Sequence, residues 1–144
     1  MGMYTQIRGW LNVDSIGKDE NIAIFENRLK EAQSTFLNDD TILDVNNEKL
    51  ERKWVCNDTY IHSGGNGSSY IFFGTELKNY GCPAEIWIKY LLKHFSNAEG
   101  RIDFQYEGDD ICGKCKFWNV YRGEITEGYC DVWCEGYGNM IKTN

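Results

Sequence analysis

Apolar residues recur along the chain with two different periods, which predict strands and amphipathic helices. Alternation over residues 3–13 predicts a strand, with Ile7, Leu11 and Val13 on one side and more polar residues on the other. Three- and four-residue steps from Ile22 to Phe36 predict a helix over about 19–36, capped by the residue at 15 or 19. Residues 37–50 are polar and asparagine-rich, and are predicted to form a loop.

The remaining residues predict one more helix and five more strands. Strands are expected over 53–62 and 70–77, joined by the glycine-rich segment 63–68. A helix is expected to begin at Pro83, because proline suits the first helical position, and its apolar stripe runs to Phe95. Strands are also predicted over 101–107, 114–122 and about 124–134, the last two joined by a short turn at Arg122 and Gly123.

The predicted order of elements is β-α-β-β-α-β-β-β. Two helices that interrupt a mostly antiparallel sheet predict an α+β fold. We expect both helices to pack on one face of the sheet, in a ferredoxin-like sandwich. No linker-like stretch divides the 144 residues, so a single domain over 1–144 is predicted.

The charge of the chain is acidic and unevenly distributed. The net charge is −7, and a surface of this sign disfavours general binding to nucleic-acid phosphates. Residues 99–135 hold nine acidic and four basic residues. This segment fits a solvated face that keeps the protein soluble, and it also fits a surface that docks into a basic groove of another protein.

Targeting features are weak in this sequence. No apolar run approaches the roughly 20 residues needed to cross a bilayer, and the first residues lack the basic and apolar pattern of a signal peptide. A soluble protein located in the cytoplasm is therefore expected. Free thiols are the default state of cysteine in that compartment.

Four cysteines near the C-terminus are spaced in a way that suits a metal ion. A pair two residues apart is followed, after a gap, by a second pair; the four candidate zinc ligands are Cys112, Cys115, Cys130 and Cys134. Four thiolates would close the coordination sphere, so such a zinc ion would be structural. The same spacing fits two disulfides or four free thiols. In one regular strand the last two cysteines would lie about 13 Å apart, which works against a shared ion.

No convincing catalytic set is present, and we predict that the protein is not an enzyme. Cys56 and Cys82 are expected to be small core residues, and the position of Cys82 just before a helix is expected to lower its pKa. His94 is predicted to be a solvated residue near the end of a helix and His62 to close a strand, so a metal-binding or general-base role is disfavoured for both. The glycine-rich segment precedes a strand and lacks the following helix of a phosphate loop, so a hairpin loop is favoured.

Acidic and aromatic residues alternate with glycine in the C-terminal part of the chain. Tyrosine and tryptophan are enriched at the centres of protein interfaces. The sequence therefore predicts a partner-binding surface composed of Glu107, Asp109, Asp110, Glu127, Tyr129, Asp131, Trp133, Glu135 and Tyr137.

Three segments carry a resemblance to known proteins. These are Met1-Gly2-Met3-Tyr4-Thr5, residues 76–80 with the sequence Glu-Leu-Lys-Asn-Tyr, and residues 100–108 with the sequence Gly-Arg-Ile-Asp-Phe-Gln-Tyr-Glu-Gly. Together they resemble small proteins encoded by phages and prophages of Gram-positive bacteria. The four C-terminal cysteines depart from that group, and the group supplies no catalytic residues to carry over.

The resemblance implies a non-enzymatic phage protein that binds and blocks a host protein. The expected partner is a nucleic-acid-binding component of a host defence system, so the activity would be anti-CRISPR-like or anti-restriction in type. A toxin-neutralising immunity protein would have the same sequence features. A different alternative is a small-ligand binder that sequesters a nucleotide in a cleft between the sheet and residues 64–69.

Overall fold

A computed structural model of the protein describes residues 4–14, 21–65, 67–106 and 116–129. These residues form six strands, two α-helices and one 3-10 helix. In chain order they are β1 (Thr5–Asn12), α1 (Ile22–Asn38), the 3-10 helix (Lys53–Asp58), β2 (Thr59–Ser63), β3 (Ser69–Leu77), α2 (Pro83–Leu92), β4 (Glu99–Tyr106), β5 (Lys116–Tyr121) and β6 (Glu124–Tyr129).

The six strands form one open sheet in the order β2-β3-β1-β4-β5-β6. Every neighbouring pair is antiparallel, which confirms the predicted α+β class and the predicted antiparallel sheet. β1 and β4 approach closely at Gly9, where an added Cβ would lie 2.3 Å from the carbonyl oxygen of Arg101. Only glycine fits at this point of contact between the two strands.

One side of the sheet contributes to the hydrophobic core. Alternate residues of the four inner strands point to this side, and they join the apolar residues of both helices in one cluster. Its fully buried side chains include Ile7, Leu11, Ile71, Ile102, Phe104, Phe25, Phe36, Trp87, Ile88 and Leu91. Residues between them on the strands, such as Gln6 and Arg8, are exposed, so each inner strand has one apolar and one open side.

The helix boundaries confirm one predicted start and correct the other. α2 begins at Pro83, as predicted, and Glu85 lies in its first turn. α1 begins at Ile22, and the side chain of Asn21 caps it by accepting a hydrogen bond from the backbone N–H of Ala23 at 2.9 Å. The prediction of a cap at residue 15 or 19 is therefore wrong.

The strand predicted over 53–62 is only half correct. Residues Lys53–Asp58 form the 3-10 helix, and the strand begins at Thr59. Val55 and Cys56 are both buried although they are consecutive, and a strand would have placed them on opposite faces. The 3-10 turn packs between the helices and the β2–β3 end of the sheet, where it closes the core.

Neither α1 nor α2, the two α-helices of the described residues, has the length and hydrophobicity needed to cross a membrane.

Candidate partner-binding surface

The side of the sheet that faces away from the helices, which we call the open face, carries a row of exposed aromatic side chains. Phe72 lies opposite Trp10 on one side and opposite Tyr60 on the other, so the three occupy neighbouring positions on β1, β3 and β2. Their exposed fractions are 62% for Tyr60, 51% for Trp10 and 39% for Phe72. Directly opposed residues in a sheet lie about 5 Å apart, so these rings form one continuous surface, the aromatic row.

A second line of residues extends the aromatic row toward the glycine-rich hairpin. Tyr70 meets Trp10 edge to face, with ring centroids 5.2 Å apart. His62 meets Phe72 in the same way at 5.4 Å. These four rings, with Gly64 and Gly65, line a shallow cleft of about 350 Å³. The size lies at the lower end for small-molecule sites, and the rings have already adopted the packing that aromatic pairs favour.

The other half of the open face carries charged side chains beside aromatic ones. Arg101 lies opposite Trp10 on β4, and its guanidinium stacks 4.0 Å from the ring centre of Phe117. It also forms an ion pair with Asp103 at 3.0 Å. Both charged side chains remain well exposed, so this pair contributes little to stability. The open face thus combines tryptophan, tyrosine and arginine, the residue types enriched at interface hot spots.

A polar cluster lies on the opposite side of the sheet, beyond the edge of α2, and we call it the lysine cluster. The ammonium group of Lys116 lies 3.3 Å from Glu85 on α2 and 3.6 Å from Glu127 on β6. The indole N–H of Trp118 donates a hydrogen bond to one carboxylate oxygen of Glu127 at 2.8 Å. The hydroxyl of Tyr129 donates to the other carboxylate oxygen of Glu127. The cluster therefore ties α2 to the last two strands.

The lysine cluster fixes the ionisation states of its members. Burial alone would lower the pKa of Lys116, but the carboxylate of Glu85 and the other groups around it raise that pKa well above its ordinary value. Hydrogen bonds from Tyr129 and Trp118 lower the pKa of Glu127. A lysine held protonated among carboxylates is suited to anchoring, and it is a poor nucleophile or proton acceptor near neutral pH.

Two cysteines of the described residues are protected from reaction. Cys56 is fully buried, as predicted for a core residue. Burial raises the pKa of Cys82 to about 11, and the neighbouring Glu85 carboxylate acts in the same direction. The prediction that the start of α2 would lower the pKa of Cys82 is wrong, because desolvation and a nearby anion outweigh the helix dipole.

Most of the predicted site lies outside the described residues. The four candidate zinc ligands Cys112, Cys115, Cys130 and Cys134 fall there, and so do Glu107, Asp109, Asp110, Asp131, Trp133, Glu135 and Tyr137. Within the described ranges, no three histidine, cysteine, aspartate or glutamate side chains come together as a metal site would require. The zinc site and the acidic surface remain predictions.

Only Glu127 and Tyr129 of the predicted partner-binding set are described. They lie together on β6, where the carboxylate of Glu127 is bound within the lysine cluster and Tyr129 is 58% exposed. The aromatic row was not singled out from the sequence. The available signal was Trp10, a large aromatic residue on the polar side of an alternating strand, together with Tyr60 in the next predicted strand.

Comparison with protein-family models, with curated proteins and with solved structures yields no match.

Proposed function

We propose that this is a non-enzymatic binding protein that recognises a partner protein through the open face of its sheet. The observation that carries the proposal is the aromatic row, Tyr60, Phe72 and Trp10, exposed side by side on three adjacent strands. A monomeric protein seldom leaves contiguous apolar side chains exposed without a binding role. Arg101 beside the row adds a residue type that is frequent at interface hot spots.

The nature of the partner rests on the resemblance to phage and prophage proteins. On that basis we propose that the partner is a host defence protein and that binding inhibits it. The aromatic row would then supply the anchors, and the predicted acidic residues would supply attraction to a basic groove. A zinc ion held by the C-terminal cysteines would have a structural role in such a protein.

The test is capture of a partner from a lysate of a Gram-positive host, with matched tryptophan variants. Trp10→Ala removes the centre of the aromatic row, whereas Trp54→Ala removes a tryptophan of similar exposure, 47% against 51%, from the 3-10 helix. We expect the wild type and Trp54→Ala to retain one stoichiometric host protein, identified by mass spectrometry, and Trp10→Ala to lose it. Thermal unfolding of all three proteins checks that folding is unaffected.

If Trp10→Ala retained the same protein, the interface would have to lie outside the aromatic row. Charge reversal at Asp109 and Asp110 then tests the acidic segment separately. Glu127 is unsuitable for that purpose, because it is hydrogen-bonded to Trp118 and Tyr129, and its loss would weaken the fold as well as the surface.

The cleft beside the aromatic row favours a second candidate function, the binding of a nucleotide or another planar ligand. Three aromatic rings, His62 and two glycines line its 350 Å³, which is enough for a ring to stack. A thermal-shift panel of nucleotides tests this function. The absence of stabilisation above about 1 kcal/mol at saturating ligand would argue strongly against it.

The finer fold assignment is also a proposal. In the sheet order, β3 and β1 separate β2 from β4, and one helix follows β1 while the other follows β3. This arrangement supports a ferredoxin-like core, a split β-α-β unit, with β5 and β6 added at one edge. An experimental structure that placed α1 and α2 on opposite faces of the sheet would contradict it.

A further inference from the structure

The two edges of the sheet differ in how well they are protected against pairing with another strand. β2 and β6 each have only one neighbour in the described sheet. β6 carries Glu124 and Glu127, and charges on an edge strand discourage pairing. β2 has the sequence Thr-Tyr-Ile-His-Ser, with no lysine, no carboxylate and no proline. β2 is short, but it carries none of the charged or proline residues that natural edge strands use against pairing.

Within the described residues, the hydrogen bonds to the outer main chain near β2 lie at the beginning of the strand. The side-chain amide of Gln33 on α1 donates hydrogen bonds to the carbonyl oxygens of Cys56 at 2.9 Å and Thr59 at 3.4 Å. Main-chain groups that face away from β3 alternate along an antiparallel strand. The main-chain N–H and C=O groups of Ile61, two residues after Thr59, therefore face the same outer side as the carbonyl of Thr59.

We propose that β2 pairs with β2 of a second copy of this chain, antiparallel and centred on Ile61. A two-fold axis there makes the contact self-complementary, since each copy offers the same strand. Thr59 would lie opposite Ser63 of the second copy, Tyr60 opposite His62, and Ile61 opposite its own counterpart. Hydroxyl, aromatic and apolar pairs of these kinds stabilise antiparallel sheets.

The surface beside β2 is shaped to extend this contact. A groove of about 320 Å³ runs between α1 and β2, and its walls include Leu29, Ile61 and the exposed charges Glu26 and Lys30. The two-fold axis reverses the direction of α1 in the second copy. Glu26 of each chain would then approach Lys30 of the other. The two helices would meet with complementary charges even though each chain has a net charge of −7.

A five-residue edge with one flanking helix is a small interface. Specific interfaces below about 1,200 Å² of total buried area are usually weak, so we expect the dimer to form as the concentration rises. Sedimentation equilibrium over a concentration series should show a mass that increases from one chain toward two. A single-chain mass at every concentration up to the millimolar range would overturn the proposal.

Two lysine substitutions test the predicted geometry. Ile61→Lys should raise the dissociation constant roughly tenfold or more, because like charges directly opposite each other destabilise a sheet. Thr126→Lys places the same residue on the other edge strand, β6, and should leave the dissociation constant unchanged. Equal weakening by both substitutions would show that β2 is not the contact.

A charge exchange on α1 provides a test that does not depend on the half-buried Ile61. Lys30→Glu alone should weaken the dimer, since two glutamates of one chain would face two of the other. The double variant Glu26→Lys, Lys30→Glu exchanges the charges and should restore the wild-type dissociation constant. Failure of the double variant to restore dimerisation would overturn the centred antiparallel arrangement. None of these substitutions alters Trp10 or Phe72, so partner capture through the aromatic row is tested separately.

Discussion

The two faces of the sheet are built from the same strands but perform different tasks. Phe72 and Phe73 are neighbours on β3, yet Phe73 is 6% exposed under the helices and Phe72 is 39% exposed on the open face. The buried side chain contributes to folding, whereas the exposed one contributes to the aromatic row. The role of a residue in this sheet, in folding or in binding, therefore depends more on the face on which it lies than on its residue type.

The largest difference expected between the faces comes from truncating these two phenylalanines. Phe73→Ala should lower the free energy of unfolding by about 3–5 kcal/mol, because it removes a buried ring and leaves a cavity. Phe72→Ala should lower it by less than about 1 kcal/mol, since that ring is already partly hydrated. Urea denaturation of both variants measures the difference. Equal losses would mean that the open face is part of the core.

The lysine cluster shows where the buried side of the sheet stops being purely apolar. Lys116→Met should lower the free energy of unfolding by about 2–3 kcal/mol, because Glu85 would be left as a buried carboxylate without its cation. The loss should be smaller in the double variant Lys116→Met, Glu85→Leu, which removes both charges. If Lys116→Met proved neutral by thermal unfolding, the cluster would have no anchoring role.

A smaller effect is expected at high pH from the buried thiol of Cys56. Burial raises the pKa of Cys56 to about 11, above its ordinary value of 9.0, so the folded state keeps a proton that the unfolded state loses. Its contribution to stability is complete below pH 9 and declines as pH rises toward 11, by about 1–3 kcal/mol. Denaturation of the wild type and of Cys56→Ala at several pH values measures how the free energy of unfolding of each protein changes with pH. The variant should lose less stability between pH 9 and pH 11, and parallel curves would contradict this account.

Much of the fold follows from local patterns in the sequence. Alternation identified β1 and β3, and Pro83 marked the start of α2, because each signal depends on neighbours in the chain. The tight turn between β5 and β6 was also predictable, since Arg122 and Gly123 both have positive φ and glycine favours such turns. The 3-10 helix was missed because Trp54 and Tyr60 share the parity expected of a strand.

The candidate surface could not be predicted in the same way. Trp10, Tyr60 and Phe72 are distant in sequence, and only the registers of β1, β3 and β2 bring them side by side. Register is set by packing of the whole sheet, which a local pattern does not contain. The lysine cluster could not be predicted for the same reason. Lys116 lies on β5 and Glu85 on α2, and only the folded arrangement brings the two side chains together.

The central position of β1 has a consequence for how the protein is made. β1 is the first of the six described strands, but its partners are β3 and β4, and Thr5 pairs with Tyr106. During synthesis at about 5–20 residues per second, this apolar strand leaves the ribosome seconds before either partner exists. The sheet therefore cannot assemble progressively from its N-terminal end. β1 can gain its first partner only once β3 has been made, and its second only once the chain has reached Tyr106.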